Sequence, residues 1–442
     1  MSATTAAPAT PAQELLQGLI RFNTVNPPGN ERPAQEFLAG YLESAGFECE
    51  LLGASPERPN LVARLAADGP ARHDGPTLCY LGHVDTVLAN PQEWSHDPWS
   101  GDIADGFLWG RGALDMKDQV AAEVAAAGAL GRSGWRPSRG ELLIVTVVDE
   151  ETGGELGAQW ITEKHPDKVR CDLLVNEGGG AVFELNGKRC YGVCCAEKGV
   201  FRFTVSTSGI AGHASMPGMG INALLKMAPL LERFGARQPS YTAIGEPAAF
   251  LSGIGEDPDD PRGALERLKK ENPLLGIFFE PMMGVTFTPT KITASEKINV
   301  IPSRAELKVD CRVPPGLGEK EVLAGIEEVL GPAEGAFEIE FTEKVVGNRS
   351  AADSPLMDAL SAWVSENDPG AIVVPVVLPG FTDSRHFRVA FPECVAYGFM
   401  PQRHQSLLES APLIHGADER IDVRDLDLAA GLFEDLARRL LG

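Results

Sequence analysis

Five short stretches of the 442-residue chain gather histidine, aspartate and glutamate, most of them where a strand-like run ends. His83-Val84-Asp85 follows the apolar run 78–81. Period two along an extended chain sets His83 and Asp85 on one side. A metal-bound imidazole needs its second nitrogen held by an acceptor, which Asp85 can supply; a surface histidine beside a chance aspartate accounts for the pair equally well. Gly110-Arg111-Gly112-Ala113-Leu114-Asp115 leads into an alanine-rich stretch, where Asp115 reads either as a ligand or as an ordinary helix N-cap. Asp149-Glu150-Glu151 closes the apolar run 142–148. Three successive carboxylates there repel one another unless water or a cation neutralises them. Asn176-Glu177-Gly178-Gly179-Gly180 follows a further strand-like run, and His415-Gly416-Ala417-Asp418-Glu419 lies in a turn before the last helical stretch. Nitrogen and oxygen donors delivered at the carboxyl ends of strands are what a two-zinc site wants. The ligand types favour Zn²⁺, with Co²⁺ or Mn²⁺ also accommodated and thiolate sites excluded.

The elements around these residues alternate in the first third of the chain. Thr10-Pro11-Ala12-Gln13 has the form of a capping box with proline at the first helical position, opening a helix to about Arg21. A second helix is expected over 33–45, stopped by Gly46, and a third over 117–130. Strand-like runs at 61–65, 78–81, 142–148 and 173–175, some apolar on both faces, point to an α/β domain. Its expected form is a mixed, mostly parallel sheet with helices on both faces. From about Lys198 the pattern becomes β-α-β-β-α-β with a long interruption, as in a small α+β module. Pro229 is expected to kink or end the helix near Ala223, and the Pro/Gly-rich stretch that follows, about fifty residues long, is given one helix, at 263–270. Helix and strand alternate again after about Val346, and an amphipathic helix carrying Leu426, Ala429, Phe433, Leu436 and Leu440 closes the chain. The sequence thus reads as a discontinuous domain, 1–196 and 347–442, with a smaller domain, 197–346, inserted in it.

A net charge of −23 argues against nucleic acid as a partner and, weakly, against anionic membranes. No stretch approaches 18 consecutive apolar residues, and Met1 to Pro11 reads as a short tail without the features of a signal peptide. The eight cysteines form no C-x-x-C pair, which is the usage of reduced thiols in a cytoplasmic protein.

In order along the chain, these motifs resemble those of the M20 metallopeptidase family, which includes aminoacylases, carboxypeptidase G2-like enzymes, succinyl-diaminopimelate desuccinylases and carnosinase-type dipeptidases. The likeness runs through His83-Val84-Asp85-Thr86-Val87, the segment 105–118, Asp149 to Gly154 and Asn176 to Gly180. It continues in Gly212-His213-Ala214-Ser215, in 296–312, in Gly380 to Phe387 and at His415, and so covers nearly the whole chain. Glu177 brings it nearer to the aminoacylase and carboxypeptidase S branch, whereas Phe381 stands where a second glycine is common.

The resemblance implies that His83, Glu151, Glu177 and His415 are terminal ligands of two metal ions and that Asp115 bridges them. Glu150 would be the general base that deprotonates a bridging water and hands the proton to the leaving amine. Asp85 would orient His83, and the Asp115–Met116 peptide would be cis. The insert would be a lid and homodimerisation domain, with His213 reaching the partner's site to stabilise an oxyanion. Asn299 and Arg312, taken to lie in adjacent lid strands, and Arg385 would bind substrate. The implied activity is hydrolysis of an amide in an N-acyl amino acid or short peptide with a free carboxylate. Two other classes compete: a non-catalytic relative that only binds metal or ligand, and a phosphoesterase. The presence of Glu150 speaks against the first, and the second would want more cationic groups converging on phosphate.

Overall fold

The structure is a computed structural model describing residues 8–442, so residues 1–7 of the expected N-terminal tail lie outside the described residues. The chain forms two compact units. The first comprises Met1–Cys195, Ser350–Val376 and Thr382–Gly442; the second comprises Ala196–Arg349 and Val377–Phe381.

The first unit is built on a mixed sheet. Its centre is parallel: Glu141–Val147, Thr77–His83, Leu173–Asn176 and Val395–Gly398 lie side by side in that order. Antiparallel strands extend it at both ends, Asn60–Ala66 and Glu48–Leu52 on one side and Lys188–Glu197 with Ala181–Leu185 on the other. The central strands are buried on both faces, and period two sorts their side chains between two cores. Leu78, Tyr80, Leu142, Ile144, Leu173 and Val175 pack with the helices Pro11–Arg21, Arg32–Ser44, Lys117–Arg132, Pro355–Asn367 and Val423–Leu441. Cys79, Leu81, Leu143, Val145 and Leu174 pack against Ala158, Ile161, Phe387 and Phe391 on the opposite face. Helices therefore cover both faces. The Thr10 capping box is formed, and Lys117, fully buried, donates from Nζ to the carbonyls of Leu19 and Phe22 at the end of that first helix.

The second unit has an antiparallel sheet centred on Arg304–Val313. Thr286–Thr293 flanks it on one side; Gly199–Val200 and Phe203–Ser208 flank it on the other, with Glu338–Phe341 outermost. Phe203, Val205, Leu307, Val309 and Cys311 face the helices Ala223–Ala236 and Glu319–Leu330, while Glu306, Lys308 and Asp310 alternate onto the wetter face.

Pro229 does not end its helix, one of the two outcomes expected of it, and the stretch after it holds more helices than expected. The Ala223–Ala236 helix runs through Pro229 without ending. The acceptor that Pro229 leaves without a partner is the carbonyl of Leu225, on a residue 71% exposed, where water can take the donor's place. The stretch expected to carry one helix carries three: Glu246–Ile254, Pro261–Glu271 and Pro273–Phe279. Each has a proline in its first turn, and Asp260 and Asn272 cap the second and third through Gly263 and Leu275 amides. The prolines there start helices and do not break them.

Candidate metal centre

Register brings the strand-end motifs of the first unit to one edge of the sheet. His83 is the last residue of Thr77–His83 and pairs with Val147, so the turn 149–151 leaves its strand at the same level. Leu173–Asn176 runs parallel on the other side and delivers Glu177 there too. This is where open α/β sheets bind ligands. Asp115 arrives from the loop before the Lys117–Arg132 helix, across an Asp115–Met116 peptide that is cis.

Asp115 divides its two oxygens between two groups of donors. Oδ1 lies 3.1 Å from His83 Nε2, which is itself 3.9 Å from Glu177 Oε1. Oδ2 lies 3.0 Å from His415 Nε2, which is 3.2 Å from Glu151 Oε2. In each set, His83-Asp115-Glu177 and Asp115-Glu151-His415, one ligand atom per residue lies within 4.8 Å of the others. Glu150 belongs to neither set.

The electrostatics suit cations. Burial resists a charge on His83, yet its contacts with Asp115 and Asp85 hold its pKa well above the usual histidine range. Asp115 and Glu151 lift His415 to about 10. Burial pushes the Glu150 carboxyl well above the usual range against the pull of His83, and Asp383, Asp115 and Glu151 add to the shift. Glu177 is raised in the same way by burial, Asp115 and Glu150. The clustered carboxylates thus favour positive charge at the two imidazoles. Divalent ions would supply that charge and return the imidazoles to neutral ligands. The donor set therefore fits a pair of such ions.

Buried polar residues hold the turn 149–151 in place. Asp85 accepts the Glu150 amide on Oδ1 and the Glu151 amide on Oδ2, each at 3.2 Å. His83 Nδ1 is 3.0 Å from the backbone carbonyl of Asp85 and 3.5 Å from its Oδ1, so the carbonyl is the nearer acceptor. Asn26 Nδ2 donates to Asp85 Oδ2, Asp149 Oδ1 and Thr152 Oγ1. Asp149 adopts φ +72°, costly for a side chain other than glycine, and its carboxylate is fixed by Thr152, the Leu156 amide and Arg58, which also pairs with buried Glu31.

Sequence reasoning missed Asn26, Glu31 and Arg58. The turn residues Asn26-Pro27-Pro28-Gly29 lie 54 or more positions before the nearest motif, His83, and no local pattern connects them. Arg385 stands beside the same turn, donating from Nη2 to the Gly153 carbonyl at 2.9 Å and from Nε to His386 at 3.2 Å. Burial, with Arg385 adding to the shift, pushes His386 down to about 4. His96 stacks on Trp109 with centroids 4.2 Å apart.

The other expected substrate residues belong to the second unit. His213 is exposed on the short strand Gly212–His213, paired with Val300–Ile301, and its Nδ1 lies 2.8 Å from Ser215 Oγ. Asn299 is exposed in a turn, outside any strand, and its carbonyl accepts the Ala214 amide at 3.0 Å. Arg312, half-buried near the end of Arg304–Val313, pairs with Asp310 at 2.8 Å. The pair therefore does not sit in adjacent strands: Val300–Ile301, which follows Asn299, joins Gly212–His213 in a two-stranded sheet of its own.

A family model described as peptidase family M20/M25/M40 matches residues 79–439. The chain belongs to that family. A succinyl-diaminopimelate desuccinylase of Xanthobacter autotrophicus is 32% identical over 255 residues, 55% of this chain and 62% of the relative, so that match spans less than two thirds of the relative's length. A probable carboxypeptidase S-like protein of Dictyostelium discoideum is 26% identical over 79% of this chain and 68% of its own. Among solved structures, an M20 family metallo-carboxypeptidase from Sulfolobus solfataricus has a TM-score of 0.70 at 17% identity, covering 97% of this chain and 99% of that one, a likeness of fold. No helix among the described residues is long and apolar enough to cross a membrane.

Proposed function

We propose that the protein is a two-metal hydrolase that cleaves an amide bond in an N-acyl amino acid or short peptide carrying a free carboxylate. The observation that carries this reading is the sharing of Asp115, one oxygen toward His83 and the other toward His415. His83 and Glu177 would hold one ion, Glu151 and His415 the other, with Asp115 common to both. Zn²⁺ suits these donors best, and Co²⁺ or Mn²⁺ would also fit. Ions bound there would supply Lewis acidity toward the scissile carbonyl and acidify a water.

Glu150 takes the proton from the attacking water and returns it to the leaving amine. Its burial and its carboxylate neighbours make its carboxylate more basic. Asp85 fixes the backbone of Glu150 and Glu151, so base and ligand keep their relative places. Arg385, Arg312 and Asn299 bind the substrate, and the planar fork of an arginine suits a carboxylate. His213 donates to the oxyanion in the partner's site of a homodimer. Large apolar side chains exposed on and around the Ala223–Ala236 helix, among them Leu224, Leu225 and Met219, support such an interface. The names of the desuccinylase and carboxypeptidase S-like relatives support the substrate class. Eight free cysteines support a cytoplasmic home.

The test is Glu150→Gln assayed by mass spectrometry on a panel of N-acyl amino acids and dipeptides. The variant is expected to keep its metal and to lose about 10²–10⁴-fold in kcat. Metal loss in Glu150→Gln with retention in Glu151→Gln would reverse the two roles.

A further inference from the structure

Glu419 is four residues past His415, fully buried, and assigned no part in the chemistry above. Its carboxylate receives four donors from the loop that carries Asp115. Oε1 accepts the amides of Leu114 at 2.7 Å and Asp115 at 3.1 Å. Oε2 accepts the Gly112 amide at 3.1 Å and Arg111 Nη1 at 2.5 Å. Gly112 can present its amide this way because it lies at φ +88°, where a side chain would be strained. The contact also runs in reverse: the Glu419 carbonyl accepts the Gly110 amide at 3.0 Å.

Arg111 closes the circuit. Its Nη2 donates to the Gly416 carbonyl at 2.8 Å and lies 3.4 Å from the His415 carbonyl. His415 itself sits at φ +60°, a conformation a histidine keeps only when its surroundings enforce it. Beyond Glu419, Arg420–Asp422 pairs with Phe107–Trp109, so the two segments are tied on both sides of the ion pair. The loop of Asp115 and the loop of His415 are thus fastened to each other through one buried Arg111–Glu419 pair, in which nearly every lone pair of Glu419 is used. A buried charge pair is worth keeping where it fixes a geometry that an apolar pair would leave loose.

We propose that Glu419, with Arg111, is a positioning residue: it sets the separation of Asp115 from His415 and so governs the affinity for the ion held by Asp115, Glu151 and His415. This rests on the two-ion reading, but it bears chiefly on one ion position, since Glu419 fastens both Asp115 and the loop of His415. The set His83-Asp115-Glu177 keeps its other two ligands on strand ends that Glu419 does not touch.

The experiment titrates metal-free protein with Zn²⁺ by calorimetry and with Co²⁺ by visible absorption. Glu419→Gln keeps the size of the side chain, but its amide nitrogen meets backbone donors. Its expected effect is a loss of about 10–100-fold in affinity for one of the two ions, with a clearly smaller loss for the other, which shares Asp115 but not His415, and with the cobalt bands of the weakened equivalent altered. If Glu419→Gln does not fold, Arg111→Met serves instead, since Glu419 keeps three backbone donors; it should show the same selective loss, and Arg111→Lys should restore part of it. Two wild-type affinities in these variants would overturn the proposal. So would equal weakening of both ions together with a lowered Tm of the metal-free protein, which would mark a general loss of stability. A wild-type chain that binds fewer than two ions would instead sink the two-ion reading beneath it.

Discussion

The two units differ in where they keep their charges and their apolar surface. The first buries Glu31, Asp85, Arg111, Lys117, Asp118, Glu123, Glu419 and Asp425, many of them close to the metal-type donors or bonded to the loops that carry them. The second buries few charged groups, yet exposes Ile210, Met216, Met219, Ile221, Leu224, Leu225, Leu274, Ile277 and Ile298. Burying charge costs stability unless every group is paired, and exposing large apolar side chains invites association. The first unit is arranged like a place where geometry has to be held for chemistry. The second is arranged like a surface that meets something else.

The largest expected effect follows from asking whether the second unit contributes to a partner's chemistry. His213→Ala and Glu150→Gln homodimers should each be nearly inactive, since one oxyanion donor is worth about 3 kcal/mol. Mixed under subunit exchange, they should regain up to about a quarter of wild-type activity, because random exchange makes half the dimers mixed and each of those has one intact site of two. No regain despite demonstrated exchange would confine His213 to its own subunit, or remove it from catalysis, and the contrast between the units would lose its functional meaning.

A smaller effect concerns one exception to the contrast. Lys198, in the second unit, is buried and donates from Nζ to the carbonyls of Pro281 and Gly284, pinning the end of the three-helix segment. Burial pushes its pKa down to about 7, against Asp310 and Cys311, with Arg312 and Arg237 adding to the depression. From about pH 7 up to the ordinary lysine value the unfolded chain holds a proton that the folded chain has released. Stability should therefore rise with pH across that window, by at most about 1.4 kcal/mol per pH unit, and the penalty should be complete below it. Urea unfolding of wild type and Lys198→Met at several values between pH 6.5 and 9.5 should show the wild-type slope exceeding that of the variant. Parallel curves would mean that Lys198 keeps its charge.

The sequence carried the parts of this arrangement that obey a local period or a compact motif. The capping box at Thr10 and the helix Lys117–Arg132 appear where the pattern indicates. The central strands, apolar on both faces, divide between two helical layers as their period-two pattern implies. The family resemblance implied His83, Asp115, Glu151, Glu177 and His415 as a set, and these lie within ligand reach of one another in two groups that share Asp115. What it could not carry was non-local or ambiguous. Asn26, Arg58 and Glu31 act on the turn 149–151 through the tertiary fold alone. The Pro/Gly-rich stretch after Pro229 was given one helix, although Pro247, Pro261 and Pro273 each occupy the first turn of a separate one. Asn186-Gly187, both at positive φ, joins Ala181–Leu185 to Lys188–Glu197; this familiar hairpin signal was present and passed over.

The central claim is that one carboxylate, Asp115, serves two ions. Elemental analysis of metal-loaded protein after gel filtration tests it most directly, on wild type, Asp115→Ala, His83→Ala and His415→Ala. The account predicts two divalent ions per wild-type chain, about one in either histidine variant and close to none in Asp115→Ala. A single ion in the wild type, or an Asp115→Ala variant that still carries two, would contradict it.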